Sequence, residues 1–450
     1  MSFTFIDLFA GIGGFHAAIS AAGGECIFAS EIDLSASTVY RRNWGGGSNE
    51  TSGLHFAGDI VPLTEGRMMV PAHDVLVGGF PCQPFSKSGL QLGMSEARGT
   101  LFWNICRILQ KRRPSVVLLE NVRNIAGPRH RHEWEVIIRS LRDLGYRVSD
   151  QPTVFSPHLL PKTMGGSPQV RERVFILGTY VGAAKAKKQT DVGPVVANAP
   201  IAGWDPTNWN LDRDLLQRDD EIKDLDRYQL TPAELSWIEA WDEFVQRMTE
   251  AREGERLPGF PIWADDFRVI KEKELNGLPA WKADFLRKNS RLYQDHKELI
   301  DRWKDQFNGL QDIPPSRRKL EWQAQDAGSL WETVMHFRPS GIRAKRPTYL
   351  PALVAITQTS IVGWRRRRIT PREAARLQGL PDWFDFGDQP DAATYRQLGN
   401  GVAVGAAYYV FRNHVLQNKN DLPEHLVEQV SKTAKMPKIR RPRNHPFDIS

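Results

Sequence analysis

The stretch Phe3-Thr-Phe-Ile-Asp-Leu-Phe-Ala-Gly-Ile-Gly-Gly14 decides the fold of this chain. It reads as a buried strand that ends near Asp7, followed by glycines at positions 11, 13 and 14 and then by a helix. Glycines at such a turn allow tight backbone angles and let a ligand approach the main chain closely. This order is typical of doubly wound α/β folds that bind a nucleotide-type cofactor. The turn alone does not distinguish one class of such cofactor from another.

The next part of the chain continues the alternation of short apolar runs and amphipathic segments. The pattern predicts strands over Phe3–Asp7, Glu25–Ser30, Asp74–Val77, Ser115–Glu120 and Val174–Gly178, and helices that begin near Gly13, Leu34, Thr100 and Glu133. We therefore predict an α/β fold with a doubly wound, mostly parallel sheet, occupying residues 1–185 as a cofactor-binding and catalytic domain. The alternation stops between residues 185 and 200.

The middle of the chain has a different composition. Residues 204–331 are rich in tryptophan and charge, and we interpret the tryptophans mainly as core residues of a second, smaller domain over 190–370. Thr231-Pro-Ala-Glu234 is a capping box, which predicts the start of a helix. Residues 371–420 are predicted to return to the first domain, with a core helix over Val402–Gln417, and 421–450 to form a basic tail.

Bulk properties limit the class of protein. The 450 residues exceed the usual size of one core, and 60 Lys and Arg against 53 Asp and Glu give a net charge of +7, which suits a polyanionic partner. Three cysteines argue against a disulfide framework, and we interpret Cys26 and Cys106 as core residues. No apolar run is long enough to span a membrane, so we expect a cytoplasmic protein without a membrane partner.

The third cysteine lies in Gly78-Gly-Phe-Pro-Cys-Gln-Pro-Phe-Ser86, directly after a predicted strand. Three further motifs follow it in order: Glu120-Asn-Val122, Gln169-Val-Arg-Glu-Arg173 and Gln397-Leu-Gly-Asn-Gly-Val402. With the glycine turn, this succession resembles the DNA (cytosine-5)-methyltransferase family of bacterial restriction-modification type. The resemblance covers about residues 1–180 and 338–410, whereas the middle of the chain matches only by position.

The resemblance implies a covalent mechanism. Cytosine C5 becomes nucleophilic enough to accept a methyl group once a thiolate adds to C6, and Cys82 is the matching thiol. Glu120 would contact N3 and the exocyclic amine of the cytosine, Arg171 would steady O2 and the thiolate, and Arg173 would brace the pocket. The alternation of Gln169, Arg171 and Arg173 predicts that they share one strand face.

The resemblance also implies S-adenosylmethionine as the cofactor. Glu31 and Asp33 follow the second predicted strand, where a carboxylate could hold ribose hydroxyls, and Asp59 follows later, where a carboxylate could reach an exocyclic amine. The cofactor-binding residues implied by the family are Phe9, Gly11, Gly13, Glu31, Asp59, Ile60, Pro81, Leu101, Asn400 and Val402. No Cys-x-x-Cys or His-rich spacing is present, so no metal site is predicted.

Chemistry on a paired base requires that the base be flipped out of the duplex. The second domain occupies the place of the family's target-recognition domain, and its basic segments 338–346 and 364–368 are expected to contact double-stranded DNA. The predicted DNA-binding residues are Gln83, Ser86, Lys87, Arg338, Arg343, Lys345, Arg365 and Arg366. We expect a monomer that works alongside a cognate restriction endonuclease.

Two alternatives within the same family stay open. A tRNA cytosine-5 methyltransferase would keep the same catalytic residues, although it would not need a large basic domain. A non-catalytic DNA-binding member would have lost some of them, whereas Cys82, Glu120, Arg171 and Arg173 are all present.

Overall fold

The computed structural model describes residues 2–45, 53–81, 100–354 and 359–442. These residues divide into two compact units. The first unit holds the chain up to Trp209, the segment that begins at Pro351, and the residues from Pro371 onward. The second unit holds Asn210–Leu350 and the segment that ends at Thr370.

The first division falls about twenty residues later than the predicted boundary at 190. Trp204 and Trp209 each donate from Nε1 to the main-chain oxygen of His158, at 3.1 and 3.0 Å. Ile201 N donates to Leu159 O at 3.2 Å. Because these contacts join residues 190–209 to the first unit, the change in composition marks the start of the tryptophans rather than the change of core.

The first unit contains most of the α/β elements. Its strands are β1 Phe3–Leu8, β2 Gly24–Ser30, β3 His55–Ala57, β4 Val75–Gly78, β5 Val116–Val122, β6 Tyr146–Val148, β7 Thr153–Phe155, β8 Gln169–Val170 and β9 Arg173–Tyr180. Its helices before residue 209 are α1 Gly14–Ala21, α2 Leu34–Trp44, α3 Val61–Thr64, α4 Leu101–Arg112, α5 Arg131–Asp143 and α6 Ala183–Lys188. The predicted strands and helices of residues 1–180 are therefore confirmed, with ends that differ by at most two residues.

The main sheet has the order β3-β2-β1-β4-β5-β9-β6, with β7 also paired to β9. The pairs from β3 to β5 are parallel, and β9 runs antiparallel to β5, β6 and β7. The chain winds from β1 outward to β3 and then crosses to β4 on the other side of β1. The gap between β1 and β4 is thus the topological switch point, where doubly wound sheets bind ligands.

Both faces of this sheet are covered by helices. Ile6 and Leu8 of β1 belong to a buried cluster with side chains of α4 and α5. Phe3 and Phe5 alternate onto the other face, where Phe3 packs on Phe411 and Phe5 on His16 of α1. The predicted doubly wound fold is confirmed, and the burial of β1 on both sides explains its nearly continuous apolar sequence.

The residues after Pro371 complete the first unit. They form the helices α11 Pro371–Leu377, α12 Asp391–Asn400, α13 Val404–Gln417 and α14 Glu424–Ser431. The predicted core helix is confirmed as α13, which packs against α1. The predicted basic tail begins with a helix instead, because Leu426 and Val430 of α14 are buried against the unit.

The second unit combines helices with a smaller sheet. Its helices are α7 Leu211–Asp214, α8 Pro232–Ala251, α9 Ala280–Asp295 and α10 Lys297–Gln306. The strands from residue 262 to 368 are β10 Ile262–Trp263, β11 Lys319–Gln323, β12 Val334–Arg338, β13 Gly341–Lys345, β14 Leu350–Pro351, β15 Ile361–Val362 and β16 Arg367–Arg368. Six of them form a sheet of order β10-β11-β13-β12-β15-β16.

Tryptophans build the core of the second unit. Trp241, Trp303 and Trp322 are almost fully buried, and the rings of Trp241 and Trp303 lie 5.4 Å apart. The interpretation of the tryptophan-rich stretch as core is confirmed for these three side chains. Trp281 is the exception, since 60% of it is exposed.

Candidate active site

A cavity of about 510 Å³ lies in the first unit at the carboxyl ends of the parallel strands. Its walls come from the turns after β1, β2, β3, β4 and β5, and from the end of α12. The cavity therefore occupies the switch point between β1 and β4, as expected for a ligand site in this fold.

The turn after β1 is fixed by a carboxylate. Phe9 and Gly11 both have positive φ angles, 54° and 55°, so the backbone bends sharply here. Gly11 N donates to Glu31 Oε2 at 2.8 Å, and Asp33 N donates to Glu31 Oε1 at 2.8 Å. Glu31 thereby joins the ends of β1 and β2 and presents its carboxylate to the cavity.

Gly13 has a structural role. It has a φ of 90°, and a Cβ at this position would lie 2.1 Å from Trp44 Nε1, which donates to Ile12 O. Gly13 does not line the cavity, so the structure does not support its predicted contact with the cofactor. The packing of Trp44 beneath the turn is what requires glycine.

The neighbouring Gly14 admits the return segment. A Cβ there would lie 2.8 Å from Val402 Cγ1 and 2.9 Å from Val402 O. The absence of a side chain at Gly14 lets residues 399–402 close one wall of the cavity.

The remaining predicted cofactor residues all line this cavity: Phe9, Gly11, Glu31, Asp59, Ile60, Pro81, Leu101, Asn400 and Val402. Sequence reasoning missed Ile32 and Arg396, which also line it. Ile32 is a large apolar side chain that is 70% exposed. Its position directly after Glu31, at the carboxyl end of β2, was a signal that could have found it.

Glu120 and Arg173 form an ion pair on the cavity wall. Arg173 Nε lies 3.0 Å from Glu120 Oε1, and both side chains are largely buried. Burial raises the pKa of Glu120, while the charges of Arg173 and Arg171 act to lower it, and the net direction is upward. The Glu120 carboxyl therefore keeps its proton to a higher pH than an exposed glutamate does.

Arg171 points elsewhere. Its guanidinium is 1% exposed and donates to the main-chain oxygens of Leu353, Gly399 and Gly401 at 2.7 to 2.8 Å. Burial lowers the pKa of Arg171 to about 9. Arg171 does not line the cavity, whereas Arg173 does and lies beside Glu120. The predicted strand is also interrupted, since residues 171–172 lie between β8 and β9.

Asn121, the middle residue of the motif Glu120-Asn-Val122, is a positioning residue. Its Nδ2 donates to Phe80 O at 2.9 Å, and it lines the cavity. This bond ties the end of β5 to the turn after β4, two residues before Cys82. The predicted residues Cys82, Gln83, Ser86 and Lys87 lie outside the described residues.

The arginine run of the second unit is engaged by local partners. Arg365 pairs with Asp212 at 2.7 Å, Arg367 with Asp219 at 2.9 Å, and Arg368 with Glu234 at 2.5 Å.

Arg366 has its guanidinium 4.6 Å from the ring centre of Trp331. The predicted DNA contacts of Arg365 and Arg366 are therefore not supported. The acidic partners of this run are about 130 to 150 positions away, so the sequence gave no sign of them.

The described ranges of the chain contain no group of three or more His, Cys, Asp or Glu side chains that could hold a metal ion. Over the same part of the chain, no helix is both long and apolar enough to cross a bilayer.

The doubly wound sheet and the glycine turn held by an acidic residue after β2 define an α/β protein with a site for a nucleotide-type ligand at the switch point. The comparison with known proteins gives the family. The C-5 cytosine-specific DNA methylase family matches residues 3–415, and the chain belongs to it. The predicted enzyme class, a DNA methyltransferase acting on cytosine C5, is thereby confirmed.

Curated relatives match along most of their length. The type II methyltransferase M.AluI of Cellulosimicrobium cellulans is 47% identical, over 93% of this chain and 92% of the relative. M.HgiBI of Herpetosiphon aurantiacus is 30% identical, over 89% and 94%. A solved putative DNA modification methyltransferase from an E. coli prophage covers 93% of this chain and 100% of its own, with 22% identity and a TM-score of 0.48.

Proposed function

We propose that this enzyme transfers a methyl group from S-adenosylmethionine to C5 of a cytosine flipped out of double-stranded DNA, with Cys82 as the nucleophile. One observation carries the proposal: Glu120 and Arg173 lie in the same cavity as the residues expected to bind the cofactor, next to Pro81. A site for the methyl donor and a site for a polar base are thus continuous.

The cavity residues fit S-adenosylmethionine. The Glu31 carboxylate, at the end of β2, can accept hydrogen bonds from ribose hydroxyls, and Asp59 can accept one from an exocyclic amine. Phe9, Ile32 and Ile60 offer apolar surface for a purine ring. A bound cofactor supplies an electrophilic methyl group held on a sulfonium.

The chain's own residues prepare the cytosine. The thiolate of Cys82 adds to C6 and makes C5 nucleophilic, and it leaves again once C5 has lost its proton. Glu120, whose pKa burial raises, can donate a proton to N3 as charge develops on the ring. Arg173 holds the Glu120 carboxyl in place and brings a positive charge close to O2.

The second unit supplies the DNA-binding surface in this proposal. A flipped base leaves a gap in the duplex, and a separate body must hold the helix and contact the flanking bases. The relatives are type II methyltransferases, so we assign this enzyme to a restriction-modification system with a cognate endonuclease. We further propose that it acts as a monomer in the bacterial cytoplasm.

The first test is covalent trapping. With DNA that contains 5-fluorocytosine, the wild-type enzyme should form a stable adduct, because fluorine at C5 blocks elimination of the thiol. Cys82→Ser should form no adduct and transfer no methyl group, while it still binds S-adenosylmethionine and DNA. The products are measured by denaturing gel and by incorporation of tritiated methyl groups.

A matched control is Cys106→Ala, which removes a buried thiol of α4 that faces the core. This variant should still be trapped. Parallel incubations with tRNA distinguish the RNA-modifying alternative. An enzyme that methylates DNA yet forms no adduct under turnover would falsify the thiolate mechanism, and methylation of tRNA alone would reject the DNA substrate.

A further inference from the structure

The sheet of the second unit has one apolar and one polar face. Trp322 of β11, Ala344 of β13 and Phe337 of β12 point into the tryptophan-rich core. The alternate positions form what we call the polar sheet face: Glu321, His336, Arg338, Arg343 and Lys345. Glu321, Arg343 and His336 are direct neighbours across the three strands, so their side chains lie in one row.

This face has an excess of positive charge. Among these five side chains, three cations and one carboxylate give a formal charge of 3 − 1 = +2, with His336 neutral because burial lowers its pKa. Lys319, on the same face of β11, adds a further positive charge. Arg343 forms an ion pair with Glu321, whereas Arg338 and Lys345 form no ion pair among the described residues. Partial burial and mutual repulsion lower the pKa of both groups. In the arginine run at 365–368, by contrast, three of the four side chains are paired with carboxylates of the same unit.

The guanidinium of Arg343 is held by one edge. Its Nε donates to Glu321 Oε2 at 2.5 Å, and its Nη2 contacts the same oxygen. Ser340 Oγ donates to the other carboxylate oxygen at 3.0 Å, so Glu321 is itself fixed. The end of the guanidinium, formed by Nη1 and the outer N–H of Nη2, is left to face a ligand, and 24% of the side chain is exposed.

Two parallel N–H donors at the end of an arginine match the O6 and N7 acceptors of guanine in the major groove. A carboxylate on the side edge restricts the rotation of the guanidinium and so lowers the entropy lost on binding. A two- or three-stranded sheet surface can enter a major groove.

Gly341 belongs to the same arrangement. Its φ is 137°, and a Cβ there would lie 2.6 Å from Lys319 O. The glycine therefore lets β11 approach β13. That approach places Glu321 beside Arg343.

We propose that the polar sheet face reads base edges in the major groove, that Arg343 held by Glu321 specifies one guanine, and that Arg338 and Lys345 contact the flanking phosphates. The proposal rests on the proposed function, because it takes double-stranded DNA as the substrate.

The test begins with the sequence that the wild-type enzyme methylates, mapped by bisulfite sequencing of a plasmid. Single-turnover kcat/KM is then measured on this duplex and on duplexes in which each base pair is replaced in turn. Arg343→Lys keeps the charge and loses the two-pronged donor. It should lose about 5- to 150-fold on the cognate duplex and little on duplexes that lack one particular G·C pair.

Arg287→Lys is the matched control. Arg287 of α9 contacts Glu272 through the same two nitrogens, Nε and Nη2, at 2.9 and 2.8 Å, but lies outside the polar sheet face. The Arg287→Lys variant should show the same relative kcat/KM over the set of duplexes as the wild type. Lys345→Gln should weaken binding to all duplexes alike and lower the salt slope by about 0.9.

The possible outcomes are distinct. An equal loss on every duplex, or no loss, for a folded Arg343→Lys would overturn the assignment of Arg343 to a base. If thermal unfolding shows that this variant does not fold, Ser340→Ala removes only the hydroxyl that fixes Glu321. It should reduce the preference at one G·C pair by a few fold, and an unchanged preference overturns the proposal. Failure of the proposed function appears differently, since the wild type would then leave no 5-methylcytosine on any duplex.

Discussion

Burial and an ion pair have opposite effects on the pKa of Glu120. Burial at the end of β5 favours the neutral carboxyl, whereas the ion pair with Arg173 favours the carboxylate. The net rise of the pKa extends the protonated form to a higher pH than in an exposed glutamate, which supports the proposed proton donation to N3. The pair thus holds the group in place without removing its proton.

Replacement of this group should reveal its titration. Glu120→Gln is expected to reduce the single-turnover rate by about 10²-fold or more, with unchanged affinity for S-adenosylmethionine. Only the wild type loses a donated proton as pH rises through the Glu120 pKa, so the ratio of wild-type to variant rate should fall with rising pH. Stopped single-turnover assays across pH measure this ratio.

Glu133→Gln is the matched control, since Glu133 is a buried glutamate of α5 that does not line the cavity. Its rate should equal that of the wild type at each pH. A Glu120→Gln ratio that is constant across pH would remove proton donation from the role of Glu120.

At the scale of elements, the start of α8 is connected to β16 of the second unit. Thr231 Oγ1 accepts from Glu234 N at 3.3 Å, and Glu234 Oε2 accepts from Thr231 N at 3.0 Å. Glu234 also pairs with Arg368 of β16. The capping box predicted from four residues is confirmed, but its link to β16 depends on a residue 134 positions away.

Thr231→Ala should lower the free energy of unfolding by about 1 kcal/mol, because the N–H of Glu234 in the first turn of α8 loses its side-chain acceptor. Thr231→Ser keeps the hydroxyl and should be close to the wild type. Urea unfolding followed by fluorescence of the buried tryptophans measures both variants. Equal midpoints for Ala and Ser would show that the cap does not limit stability.

These elements also show how far the sequence could be interpreted. Hydrophobic periodicity and glycine placement predicted β1, β2, β4, β5, β9 and the turn after β1, because each depends on neighbouring residues. The residues that line the cavity were implied by the family resemblance. The sequence did not indicate the structural partners of Gly13, Arg171 and Arg365, which are Trp44, the main chain of 353–401 and Asp212. Only the folded chain brings these groups together.

The helix α14 illustrates a second limit. Basic residues after position 431 led us to interpret the whole segment from 421 as a solvated tail, although Leu422, Leu426 and Val430 recur at helical spacing. A helix with a narrow apolar side is easily overlooked beside a run of charges.

At the scale of the whole molecule, the division into units determines which residues can be exchanged between relatives. The second unit needs residues 359–370, because Arg365 and Arg367 pair with Asp212 and Asp219. Leu353, in contrast, exchanges hydrogen bonds with Arg171 and Gln169 and belongs to the first unit. An exchange must therefore transfer 210–350 and 359–370, and keep 351–354.

A chimera built in this way, with the second unit of a type II relative that methylates a different sequence, should methylate the donor's sequence. The control exchanges only residues 190–209, which belong to the first unit, and should keep the original sequence. Bisulfite sequencing of plasmid from cells that express each chimera gives the answer. An active chimera that retains the original site would place recognition outside the second unit.

The cavity can be completed only after residues 399–402 have been synthesised. Arg173 and Asn400 line the same cavity but are 400 − 173 = 227 positions apart. At about 5–20 residues per second, a ribosome needs roughly 11–45 s to pass from one to the other. During that interval the nascent chain already carries the thiol, Glu120 and Arg173, but has no wall at 399–402 to retain a methyl donor. The cavity is thus complete only late in translation, and we expect an unfinished chain to be inactive.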